Sequence, residues 1–206
     1  MPAQPHVRQI TGWLDAMVMI GRKITDRNAH AHNLRVARLS VQIGRQLSLS
    51  AKDLRLLARA GLLHDLGRAG AHGIARDRRS SFDLPDWEAG RSGEMVLSQI
   101  EQAGHSGRQL RAILYHRERL DGSGHPYGLI GDAIPIEARI LGVADAYDEL
   151  VTDSGYVRAL TPTQARRALK KEAGIQFDVR VVTALCAALD ARRARLDRST
   201  RRVLAY

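Results

Sequence analysis

AKDLRLLARAGLLHDLGRAG, residues 51–70, places Leu54, Leu57 and Leu62 at helical spacing and then sets His64 and Asp65 side by side, just before Gly67. Ser50 precedes the run and Asp53 follows three residues later, the pattern of an N-cap with an acid in the first turn. Gly67 is the expected stop, because glycine readily takes the left-handed conformation that closes a helix. The stretch therefore predicts an amphipathic helix with two polar side chains at its most buried end. Taken alone, His64 and Asp65 are better explained by a structural hydrogen bond or salt bridge. A metal site is the other reading, and it needs ligands from elsewhere in the chain.

Helical patterning extends in both directions. Val7, Ile10, Leu14, Met17, Val18 and Ile20 predict a helix over 6–23, and Leu34, Val36, Leu39, Val41, Ile43 and Leu47 another over about 28–47. Residues 68–86 read as a loop, with helices resuming over 87–103 and 107–117. DGSGHPYGLIGDAIP, residues 121–135, is too rich in turn-formers to be helical. Pro135 is placed to open the next helix from its first turn, Thr161-Pro162 starts another, and a last helix covers about 178–195. No strand ladder, repeat or low-complexity tract is evident. The expected class is all-α, with an N-terminal helix in 1–25, a main domain over 26–190 and a basic C-terminal tail over 191–206.

Composition narrows the function classes. A chain of 206 residues, 44% hydrophobic, is long enough for one domain with a real core. No run approaches the roughly 18 apolar residues of a membrane span, so no membrane partner is expected. The first twenty residues lack a compact apolar core with a small-residue cleavage site, so no signal peptide is expected. Cys186 is the only cysteine and lies in ALCAAL, which fits a buried small hydrophobe in a reducing cytoplasm. The net charge of +10 suits phosphate-bearing partners. With only 4% aromatic residues there is no base-stacking platform, so nucleic acid is not the expected one.

Further ligands for a metal are available in His30, His32, His116, His125, Asp145 and Asp148. Asp145 is the best placed, in the otherwise apolar RILGVADAYDEL, where an unpaired carboxylate would carry a large desolvation cost. A salt bridge to one of the many arginines accounts for Asp145 alone as well as a metal does. Imidazole and carboxylate donors suit Fe, Mn, Zn or Co.

The order and flanks of these residues resemble the HD superfamily of metal-dependent phosphohydrolases, and within it the HD-GYP branch. The likeness runs through HNLRVARLSVQIGRQLSLS, LLHDLGRAG, the long block from His116 to Leu160 and GIQFDVRVV. It implies an HD-domain helical bundle with a glycine-rich GYP-type loop, hydrolysing cyclic di-GMP or another nucleotide phosphoester. His32, His64, Asp65 and Asp145 match the tetrad that holds one metal, and His116 matches a ligand of a second. Asp65 and Arg68 are the expected catalytic residues. Arg139, Arg117, Asp121 and His125 are the expected substrate contacts. Such a metal acidifies bound water and polarises a phosphoryl oxygen.

Four departures bear on that expectation. The branch's HHE reads His116-Arg117-Glu118, and a guanidinium has no lone pair for a cation. No histidine occurs between His72 and His105, where a further ligand belongs. Gly-Tyr-Pro reads Gly124-His125-Pro126, and the lysine after the HD pair is Arg68. One divalent ion is therefore expected, with a second site incomplete. The alternative is a degenerate domain that binds nucleotide, or docks a signalling partner through the Gly-His-Pro loop, without turnover.

Overall fold

A computed structural model describes residues 27–64, 107–153 and 158–203. Six α-helices form there: α1 (Arg27–Gln46), α2 (Ala51–Leu63), α3 (Gly107–Leu114), α4 (Ile136–Val151), α5 (Pro162–Lys171) and α6 (Val179–Val203), with a short 3-10 turn at Gly131–Ala133. No strand is present among the described residues, only the isolated bridges Asp121–Ile130 and Ala173–Phe177. The all-α expectation is borne out. The helices expected over 6–23 and 87–103 lie outside the described residues, as do Asp65 and Arg68. No described helix is long and apolar enough to cross a membrane.

The helix starts follow local chemistry. Ser50 caps α2 by accepting the Asp53 amide at 3.2 Å. Thr161 caps α5 in a reciprocal box with Gln164, and Pro162 occupies the first turn. Pro135 stands one position earlier than expected: it is the N-cap of α4, and its carbonyl accepts the Arg139 amide at 3.1 Å. Proline suits that place because an N-cap needs its carbonyl in the helix, not its N–H.

Two ends differ from expectation. α3 stops at Leu114 rather than at 117, because the chain turns there and the His116 ring takes the Ile113 carbonyl that another helical turn would have used. α6 continues to Val203, so much of the stretch read as a tail is helical. ARRARLDR lacks glycine and proline and is rich in good helix formers, and Arg192, Arg193 and Arg195 lie on exposed positions of a solvated helix.

α4 is the buried centre. Ile140, Leu141, Val143 and Ala144 are fully covered by Val36, Leu39 and Ile43 of α1, Leu57 of α2, Ala165 and Leu169 of α5, and Val181 and Leu185 of α6. Each such leucine or isoleucine contributes about 1.5–3 kcal/mol relative to exposure. Cys186 is also buried, as expected of a small hydrophobe. α1 and α2 cross closely at Gly61, where a Cβ would stand 2.5 Å from the Ala37 Cα.

Candidate metal centre

Several buried polar side chains from different elements gather at one place in this interior. α1 supplies His32 and Arg35, α2 ends at His64, the turn after α3 supplies His116 and Arg117, and α4 supplies Asp145 and Asp148. His64, His116, Asp145 and Asp148 are all buried. Gly142 lets α4 lie against the turn, since a Cβ there would stand 2.4 Å from the His116 carbonyl oxygen.

Each histidine has one ring nitrogen fixed by an acceptor. His64 Nδ1 lies 2.8 Å from the Gly61 carbonyl, His116 Nδ1 lies 2.6 Å from that of Ile113, and His32 Nδ1 lies 2.8 Å from Asp148 Oδ2. All three acceptors call for a proton on Nδ1, which in the neutral ring leaves Nε2 as a bare lone pair. Those Nε2 atoms face one carboxylate. His32 Nε2 is 3.1 Å and His64 Nε2 is 3.3 Å from Asp145 Oδ1, and the two nitrogens are 3.2 Å apart. His116 Nε2 stands further off, 3.8 Å from Asp145 Oδ2.

Asp145 Oδ1 is buried and accepts no well-directed hydrogen bond. A carboxylate oxygen in that state, facing two nitrogen lone pairs, needs a cation between them. The residues fit one: N and O donors about 2.0–2.1 Å from a metal sit roughly 2.9–3.4 Å from one another in octahedral or tetrahedral arrangements. His32, His64 and Asp145 are thus three side chains that could hold a metal ion.

Charge follows the same logic. Burial alone would raise the Asp145 pKa, but the imidazoles that face it hold it well below the usual carboxylate range. Burial pulls the His32 pKa down, yet Asp145 and Asp148 together push it up to about 9. A proton on His32 and a metal ion are therefore rival occupants of one electron-rich space. His116 goes the other way, lowered to about 4 chiefly by burial, with the charges of His64 and Arg117 adding to it.

The remaining expected residues are placed differently. Arg117 Nε donates to His116 Nε2 over 3.4 Å. Arg139 lines a small cavity with His116, but its guanidinium is engaged by the Ile134 carbonyl at 2.7 Å, Asp178 at 3.0 Å and Asp132 at 2.8 Å. Asp121 is exposed and accepts the Ser123 amide and hydroxyl, a turn-forming role. His125 is exposed on the loop, its amide donating to the Arg117 carbonyl. Glu118 turns away from the centre and clamps that loop by accepting the amides of Tyr127 at 2.7 Å and Leu129 at 3.0 Å.

Sequence reasoning offered Asp148 only as one possible metal ligand and did not consider Arg35. Asp148 orients His32 and is itself gripped by Arg35 at 2.7 and 2.9 Å. The available signal was spacing: Asp148 follows Asp145 by three on one helix, as Arg35 follows His32 on another, so each pair shares a face.

Known proteins are similar to this chain over most of its length. A family model for the HD domain matches residues 19–181. A 3'3'-cGAMP-specific phosphodiesterase of Vibrio cholerae is 34% identical over 175 residues, which is 83% of this chain and 38% of that protein. The cyclic di-GMP phosphodiesterase response regulator RpfG of Xanthomonas campestris is 34% identical over 167 residues, 73% of this chain and 41% of its own length. The chain thus spans about two-fifths of the length of these curated relatives. An HDG"Y"P protein from Bdellovibrio bacteriovorus shares the fold, with a TM-score of 0.58, 20% identity, and coverage of 90% of this chain and 60% of that one.

Proposed function

The chain belongs to the HD-domain family, and from that premise we propose that it is a metal-dependent phosphodiesterase acting on a cyclic dinucleotide, cyclic di-GMP or a relative such as 3'3'-cGAMP. The observation that carries the reading is the convergence of the His32 and His64 lone pairs on the unpartnered oxygen of Asp145. The substrate class rests on the named activities of the relatives. We place the activity in the cytoplasm, in keeping with the free, buried Cys186.

His32, His64 and Asp145 hold the ion, with Asp65 as the fourth ligand and Fe, Mn, Zn or Co all suited to the donor set. A bound divalent ion supplies Lewis acidity toward a phosphoryl oxygen and toward water. The chain's own residues do the rest. Asp148 fixes the His32 ring so that Nε2 points inward, and the Gly61 carbonyl does the same for His64. Arg68 serves as the cation beside the HD pair. Arg139 would have to leave Asp178 and Asp132 to reach a phosphate, so its role is to hold the 131–133 turn against α6. Asp121 and His125 shape the loop that flanks the substrate.

Incubating purified protein with each cyclic dinucleotide and following linear product, with metal content measured on the same sample, tests the reading. Turnover with about one metal per chain, both lost in Asp145→Asn, is the expected result. The second reading, a nucleotide-binding module without turnover, is favoured by Arg117 donating to the His116 lone pair. Tight binding of the dinucleotide with no product over long incubation would establish it in place of the first.

A further inference from the structure

Three arginines surround His116, and they differ in what their guanidinium groups already hold. Arg139 is engaged by two carboxylates and a carbonyl. Arg119 donates to the carbonyls of His116 at 3.4 Å and Glu118 at 3.1 Å, and its guanidinium lies 4.9 Å above the Phe177 ring. Arg117 makes a single hydrogen bond, from Nε to His116 Nε2, and no ion pair among the described residues. Among the described residues its two terminal nitrogens meet no acceptor, and the half-buried side chain stands one histidine away from the Asp145 carboxylate.

We propose that Arg117 is the phosphate anchor of this centre: Nε keeps His116 from acting as a ligand, and the terminal nitrogens grip a substrate phosphate oxygen beside the ion. Both halves follow from the contacts. His116 has Nδ1 directed at the Ile113 carbonyl and Nε2 facing Arg117, so neither nitrogen is left over for a metal. Its distance from Asp145, 3.8 Å against 3.1 and 3.3 Å for the other two histidines, agrees with that exclusion. A guanidinium cannot coordinate a cation, but its planar fork matches two oxygens of a phosphate. An unpaired one at the edge of a centre that handles phosphoesters is an anion site. The centre then works with one ion and one arginine.

The inference rests on the metal-dependent reading above, and the experiment separates the two. Wild-type protein and the variants Arg117→Gln and Arg117→Lys are loaded with Mn2+, their metal content measured, and inorganic phosphate titrated by calorimetry. One Mn2+ per chain is expected in all three, with phosphate affinity weakened roughly tenfold or more in Arg117→Gln and partly kept in Arg117→Lys. Unchanged phosphate affinity in a metal-loaded Arg117→Gln protein overturns the anchor alone. Two ions per wild-type chain overturn the exclusion of His116. A wild-type chain that retains no Mn2+ brings down the metal reading and the anchor with it.

Discussion

α2 and α3 end in the same way and lead to different outcomes. Each is followed by a histidine whose Nδ1 faces the carbonyl three residues earlier, Gly61 for His64 and Ile113 for His116. That bond satisfies a carbonyl orphaned at the helix end and fixes the ring tautomer. His64 Nε2 then meets His32 and Asp145 at 3.2 and 3.3 Å. His116 Nε2 meets Arg117 at 3.4 Å and stays 3.8 Å from the carboxylate. Preparing a lone pair is a local property of the helix end. What the lone pair then does is decided by neighbours supplied from other elements.

The largest test of that distinction removes each ring in turn. His64→Ala should weaken metal binding on the order of 100-fold or more, and His116→Ala by less than about tenfold, as read by metal titration with a competing chelator. Equal losses would mean that the two helix ends are equivalent after all. A second test concerns His32, the one histidine of the three whose Nδ1 partner is a side chain. Asp148→Asn should cost roughly tenfold in metal affinity without abolishing the site, because the ligand remains but loses its orientation. No loss would show that ring orientation is fixed by packing alone.

Glu118 probes the turn without touching the ligands. Glu118→Ala removes the buried carboxylate that accepts the amides of Tyr127 and Leu129 and should lower unfolding free energy by about 1–3 kcal/mol in urea, with metal affinity unchanged. A coupled loss of metal would make the turn part of the site. The most gradual test is pH on metal-free protein. His32 has a folded pKa raised to about 9, so its contribution is complete below about 6.5 and fades as pH rises through 9. His116 has one lowered to about 4, so stability falls as pH drops from about 6.5 toward 4. Thermal melts across pH 4–10 should show both slopes, and bound metal should flatten the alkaline one.

The helical class was legible because apolar periodicity repeats in every segment that packs on α4, and the capping residues Ser50 and Thr161 carry their own local signal. Asp145 stood out as a carboxylate among residues that are otherwise fully buried. Asp148 and Arg35 gave no such signal, because their meaning depends on how α1 and α4 face each other. Arg139 was open to misreading for a related reason: its partner Asp178 lies 39 residues away, and an arginine's type does not disclose whether it is already engaged. The helical continuation of α6 was hidden because a run of arginines has the same composition in a solvated helix as in a disordered tail.

The close crossing at Gly61 acts as a fulcrum for the centre. Ala37 and Gly61 touch backbone to backbone, His32 lies five residues before one contact point, and His64 lies three residues after the other. A side chain inserted there would pry α1 and α2 apart and widen the gap between the two imidazoles. Larger ions would then be favoured over smaller ones without any change of ligand. The separation of the two imidazoles is therefore adjustable from a hydrogen atom on Gly61, at a position that carries no chemistry of its own.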